Sequence, residues 1–258
     1  MTEGEKLFNE THARWMYAWS VIHCFRNTFT DVAPTAAKQL QARSEALYRS
    51  VVEDPQWEGL LSDPAEFAKC FDQEKFVMAS AEGVLKTSYA SLDAAALIFY
   101  HSVLDAVAFD YCRVTALIAP EDWEKDLKDM RVPLLEIRNR SYDQVLRAKL
   151  EERLAKLERD SLLAKVDRLL ARCQPPSDWS PMVGYTFDRK MIEKFDLQRH
   201  KIVHGDALGK SFTLFHPSDK NLYYLSQTAL YLMGLVKLRY GLQIDSKYVG
   251  DFLQRRNQ

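Results

Sequence analysis

Arg199 and His204 are the residues whose types and spacing best suit chemistry on a phosphate; they bracket the run Arg199-His200-Lys201-Ile202-Val203-His204, with Gly205 directly after it. Arginine stays charged and grips a phosphate through two parallel hydrogen bonds. Histidine titrates near neutrality and can give or take a proton. Cleaving RNA without a metal needs a base for the 2′-hydroxyl, an acid for the leaving 5′-oxygen, and a cation for the charge that builds on phosphorus. On a regular helix a five-residue separation is an offset of about 140°, so the two side chains do not share a face. Gly205 lets the helix end or unwind at His204, which would turn that ring toward Arg199. A histidine at a helix C-terminus is favoured in its protonated form, the form an acid needs. His200, four residues before His204, falls on a similar face.

Plainer roles fit the same residues. Arg199 could be a surface arginine and His204 a cap that bonds a last-turn carbonyl. His200 and His204 have the spacing of a metal pair, but Asp206 is the only further ligand in reach and no cysteine is near, so no metal or other cofactor is expected. His101 and Asp105, at i,i+4, fit either a buried pair that stabilises a core helix or the polar lining of a site. His12, His23 and His216 have no partner in sequence and read as packing or surface residues. Trp15, Trp19, Tyr223, Tyr224 and Tyr231 recur at helical spacing, which points to core rather than to a platform for stacking bases. The glycine-rich phosphate loops and the G-x-S-x-G nucleophile motif are absent.

The elements that must position these residues read as helices. The chain has 258 residues, 47% of them hydrophobic and only 9 Gly and 9 Pro, which excludes a turn-rich all-β fold. A first helix is predicted over 5–30 and a second from Pro34, in its first turn, to about Glu53. Asp54-Pro55 and Asp63-Pro64 mark loops, and 65–86 is helical. Ser91 caps the next helix, with Asp93 in its first turn and an end at Pro120. That helix is apolar, but Asp93, His101, Asp105, Asp110 and Arg113 argue for a bundle helix over a membrane span.

An irregular connection is expected over 122–133. Ser141 and Gln144 have capping-box spacing and open one long helix to about Cys173, its alternating charges forming a solvated face. Asp188 caps a helix that carries Arg199 and ends near Gly205. The segment 212–215 is a short strand or extended loop, and a last helix runs from Ser218 or Asp219 to Gly241. This gives an all-α chain: an N-terminal helical region, 1–85, and a four-helix up-down bundle, 86–258. The net charge of -1 excludes a large basic surface, so any nucleic acid is held locally. Cys24, Cys70, Cys112 and Cys173 form no C-x-x-C pair and read as buried, reduced thiols of a cytoplasmic protein.

Taken together, the Arg199–His204 run with its polar His200, the apolar Ile202-Val203, the Gly205 stop and the position near the end of the third bundle helix resembles the HEPN superfamily. His101-Ser102-Val103-Leu104-Asp105 is similar to a pattern on the first bundle helix of some HEPN families, which usually have Glu where this chain has Asp105. The resemblance spans about 86–245. It implies a metal-independent endoribonuclease that leaves 2′,3′-cyclic phosphate and 5′-hydroxyl ends, in a toxin–antitoxin or antiviral setting. Arg199 and His204 would be catalytic, with His200, His101 and Asp105 lining the site. One histidine rarely serves as both acid and base, so a homodimer that brings two motifs together is expected. The implied partners are RNA, a second copy of the chain, and an antitoxin or other regulatory protein, with no membrane. Some members of the superfamily have lost catalysis, and the alternative is a HEPN-like helical protein that binds a nucleotide, RNA or a protein partner.

Overall fold

The computed structural model describes residues 1–53, 92–128, 130–132, 138–176, 179, 185–203 and 219–256. Among these residues every regular element is helical, which bears out the all-α expectation. Two compact units make up the chain. Met1–Ser20, Ala96–Ser211 and Pro217–Gln258 form the larger, and Val21–Ala95 with Phe212–His216 the smaller. The expected helix over 65–86 and the segment 212–215 lie outside the described residues.

Helix α1 runs over Glu3–Glu53 without a break, where two helices were expected. Pro34 lies inside it rather than at a start. Proline removes one backbone bond, but Ala33, Ala36, Ala37, Lys38 and Gln39 around it are helix formers, and no glycine occurs over 5–53. At the start, Thr2 and Glu5 cap each other: the Glu5 amide donates to Thr2 Oγ1 (3.2 Å) and the Thr2 amide to Glu5 Oε2 (2.6 Å).

Helix α2, Leu92–Ile118, is long and apolar enough to cross a membrane by length and composition alone. It buries Leu97, Leu104, Val107, Ala108, Tyr111 and Val114, and both its inner acids are paired: Asp105 with Lys165, and Asp110 with Arg14. In the larger unit, Phe8 of α1 stacks near Tyr111 with ring centres 5.9 Å apart. In the smaller unit, Arg26 of α1 pairs with Asp93 at 3.0 Å.

Of the connection expected to be irregular over 122–133, the first part is helical, a 3-10 helix, Pro120–Trp123, continued by a short α3, Glu124–Leu127, while 130–132 carry no regular element. Proline at the first position suits this start, since its missing N–H would have no partner there. Trp123 is fully buried; its Nε1 donates to Thr115 Oγ1 (3.2 Å), and the Arg172 guanidinium lies 3.5 Å over its ring. Arg168 and Arg172 both bind Asp126 of α3.

Helix α4 spans Tyr142–Glu158, and the expected capping box of Ser141 and Gln144 is present. The single long helix expected from there to Cys173 is two. The chain turns at Arg159 and Asp160, and Ser161 caps α5, Leu162–Cys173, by accepting from the Ala164 amide (3.3 Å). Serine competes well for exactly such an end position, which explains why the charge pattern runs on while the helix does not. The charges of α5 are not all solvated either, for Lys165 and Arg172 are buried.

Helix α6 spans Arg189–Val203, and Asp188 Oδ1 accepts from the Lys190 amide (2.9 Å) at its start. Helix α7 spans Asp219–Tyr240 and stops at Gly241, whose φ of 65° is the left-handed stop that glycine adopts freely. It buries Leu222, Leu225, Ala229, Leu232 and Val236 as the spacing predicts, while Tyr240, expected on the same stripe, is half-buried and Tyr223 is exposed. Helix α8, Ser246–Arg256, was not expected. Asp245 starts it by accepting from the Tyr248 amide (3.0 Å), and Tyr248 Oη donates to Glu10 of α1 (2.7 Å). Helix α5 packs against both α6 and α7, and this places α6 beside α2 and the α4–α5 turn.

Candidate active site

A cleft of about 690 Å³ opens in the larger unit where three segments meet. Helix α2 contributes His101, Ser102 and Asp105; the α4–α5 turn contributes Arg159, Asp160 and Ser161; α6 contributes Asp196, Arg199 and His200. Four of the five residues singled out in the sequence therefore line one cleft: His101, Asp105, Arg199 and His200. His204 and Gly205 lie outside the described residues, directly beyond the last described residue of α6.

His101 and Asp105 are not partners of each other. The buried His101 ring, 4% exposed, contacts Asp196 across to α6, with Nε2 2.8 Å from Asp196 Oδ1. Burial lowers its pKa, Asp196 opposes that shift, and the nearby Arg199 charge adds to it. The neutral ring thus donates its Nε2 hydrogen to Asp196, and Nδ1 is buried without a partner among the described residues. Asp105 is held by Lys165 of α5, whose Nζ donates to both carboxylate oxygens at 2.7 and 2.8 Å. The Lys165 side chain is 1% exposed, while Asp105 is 34% exposed and faces the cleft. Of the two roles left open for His101 and Asp105, both line the cleft, and each bonds a partner on a neighbouring helix rather than the other.

Arg199 lines the cleft, and its buried Nε has no hydrogen-bond partner among the described residues. Glu193, six residues earlier, also lines the cleft and pairs with Arg189. Among the described residues no three His, Cys, Asp or Glu side chains converge as a metal cage. Cys112 and Cys173 are buried, as expected, and burial pushes both thiols up to about 12, which keeps them protonated at neutral pH. Cys24 is exposed, against expectation.

Sequence reasoning missed Asp196, Lys165 and the Arg159–Ser161 turn. Asp196 had a readable signal, because it stands three residues before Arg199 and so shares its helix face. Lys165 had another: it sits three residues after Leu162 on a stripe continued by Val166, Leu169 and Cys173, where a buried charge demands a partner. Comparison of the chain with family models, with curated proteins and with solved structures finds no match.

Proposed function

We propose that this protein is a metal-independent endoribonuclease built on a HEPN-like four-helix arrangement. The observation that carries the reading is the convergence of Arg199 and His200, on the C-terminal part of α6, with His101 and Asp105 of α2 on one cleft. These two runs are almost a hundred residues apart, and each on its own resembles a HEPN pattern. In this reading Arg199 binds the scissile phosphate and carries the charge of the transition state, and His204 transfers a proton. His200, His101 and Asp105 line the site. Products carry 2′,3′-cyclic phosphate and 5′-hydroxyl ends. The resemblance extends the proposal to a homodimer with paired motifs, a cytoplasmic location, and a toxin or antiviral role under an antitoxin or similar regulator.

The test is cleavage of varied RNAs in EDTA by wild type, Arg199→Ala and His204→Ala, each checked for folding. The reading expects cleavage by wild type and its loss in both variants. Equal cleavage by all three, or none by a folded wild type, would end it and leave the non-catalytic binding protein as the better account.

A further inference from the structure

We infer that Asp196 is the general base of this reaction, held in place by His101; the inference rests on the endoribonuclease reading above. Asp196 stands one turn before Arg199 on α6, so the base and the phosphate-binding cation share a helix face and a cleft. Its two oxygens are differently engaged. Oδ1 accepts from the buried His101 at 2.8 Å, which fixes the carboxylate. Oδ2 has no partner among the described residues, and the side chain is 33% exposed toward the cleft. One tethered oxygen beside one open oxygen is the geometry for taking a proton from a bound hydroxyl.

Asp105 does not offer this. Both of its oxygens already accept from the Lys165 ammonium, so, unlike Oδ2 of Asp196, neither is left without a partner among the described residues. Its part is to hold the buried charge of Lys165 and shape the wall. The titratable and basic groups that line the cleft with Asp196 are His101 and Asp105 from α2, Arg159 and Asp160 from the α4–α5 turn, and Glu193, Arg199 and His200 from its own helix. Arg199 and Arg159 are the cations that can accept a phosphate in the company of these acids.

The step balances as follows. The 2′-hydroxyl proton passes to Asp196 Oδ2 as the 2′-oxygen bonds to phosphorus. The bond from phosphorus to the 5′-oxygen breaks, and that oxygen takes a proton from the acid assigned to His204. A 2′,3′-cyclic phosphate and a 5′-hydroxyl result, and Asp196 returns its proton to water. The proton carrier that a second chain's histidine was expected to supply is then Asp196. His101 is a positioning residue, since it acts through Asp196.

The experiment is steady-state cleavage of a fluorescent random-sequence oligoribonucleotide in EDTA by full-length wild type, Asp196→Asn, Asp196→Glu and His101→Gln, from acid to mildly alkaline pH. Asparagine keeps an acceptor for His101, so folding should survive, and a matching thermal melt verifies it. Removing the base should lower kcat about 100- to 10,000-fold with KM little changed. The fall in kcat/KM at low pH, caused by protonation of the base, should disappear in Asp196→Asn. Asp196→Glu, a second variant that keeps the carboxylate, should recover part of the rate together with the low-pH fall. His101→Gln should lower kcat less and keep that fall. If wild type cleaves while Asp196→Asn keeps its kcat or its low-pH fall, the base is another group and this inference fails with the endoribonuclease reading intact. If folded wild type does not cleave, that reading fails and takes this one with it.

Discussion

The Lys165–Asp105 pair makes an asymmetric demand on stability that can be measured directly. Lys165 is 1% exposed and Asp105 34%, so removing one partner is not equivalent to removing the other. Asp105→Ala strands a buried ammonium, a change that costs about 3–5 kcal/mol. Lys165→Met removes the buried charge, keeps the volume, and leaves a carboxylate that water reaches through the cleft; the expected cost is about 1 kcal/mol. At roughly 2–4 °C per kcal/mol for a protein of this size, Asp105→Ala should lower Tm by about 6–20 °C and Lys165→Met by about 2–4 °C. The double variant has no stranded charge and should melt close to Lys165→Met, well above Asp105→Ala. Thermal and urea unfolding of the four proteins closes the cycle. Equal losses in the two single variants, or a double variant whose loss is the sum of the two, would refute the reasoning.

Three further outcomes are expected. The folded-state pKa of His101 lies below the unfolded value near 6.5, because burial disfavours the charged ring. The unfolded chain therefore binds a proton that the folded chain does not, and stability is full above about pH 6.5 and falls as pH drops toward the depressed folded value. Unfolding midpoints measured across that window should show this slope, reduced but not abolished in His101→Gln, since burial shifts His12 in the same direction. Arg172→Ala removes both the guanidinium over the Trp123 ring and a bond to Asp126, and should cost about 2–4 kcal/mol in urea unfolding, with Arg172→Lys recovering little of it. Gly241→Ala places a side chain at a φ of 65° and should cost about 1 kcal/mol, read as a lower Tm, although nothing stands within 4 Å of the added carbon.

Local chemistry was the legible part of this chain. The Ser141 capping box, the Asp188 start of α6, the end of α2 before Pro120 and the Gly241 stop of α7 are each decided by a few adjacent residues, and each appears where the sequence predicts it. The breaks were harder, because they depend on which of two competing local signals wins. Pro34 reads as a helix start, yet the helix formers around it carry α1 through; Arg159-Asp160-Ser161 reads as helix surface, yet the Ser161 cap ends one helix and begins another. Helix α8 was passed over because Gly241 reads as a terminus, though Asp245 and Tyr248 carry a start signal just beyond it.

The candidate site divides along the same line. Arg199, His200, His101 and Asp105 were found by type and spacing within short runs. Who holds whom was not, because His101–Asp196 and Lys165–Asp105 join helices 95 and 60 residues apart in the chain. No local pattern reports such a distance. A charged residue on an otherwise apolar helix stripe announces that a partner exists, and only the packing names it.

The central claim is that the 2′-hydroxyl of RNA is the nucleophile in this cleft. It is tested most directly with one oligoribonucleotide made in two forms, all-ribose and with 2′-deoxyribose at the nucleotide before the cleaved bond, each incubated with the wild-type protein in EDTA. The account expects the all-ribose strand to be cut to 2′,3′-cyclic phosphate and 5′-hydroxyl ends, and the substituted bond to stay intact. Cleavage of both strands at that bond, or ends bearing a 5′-phosphate, would contradict it.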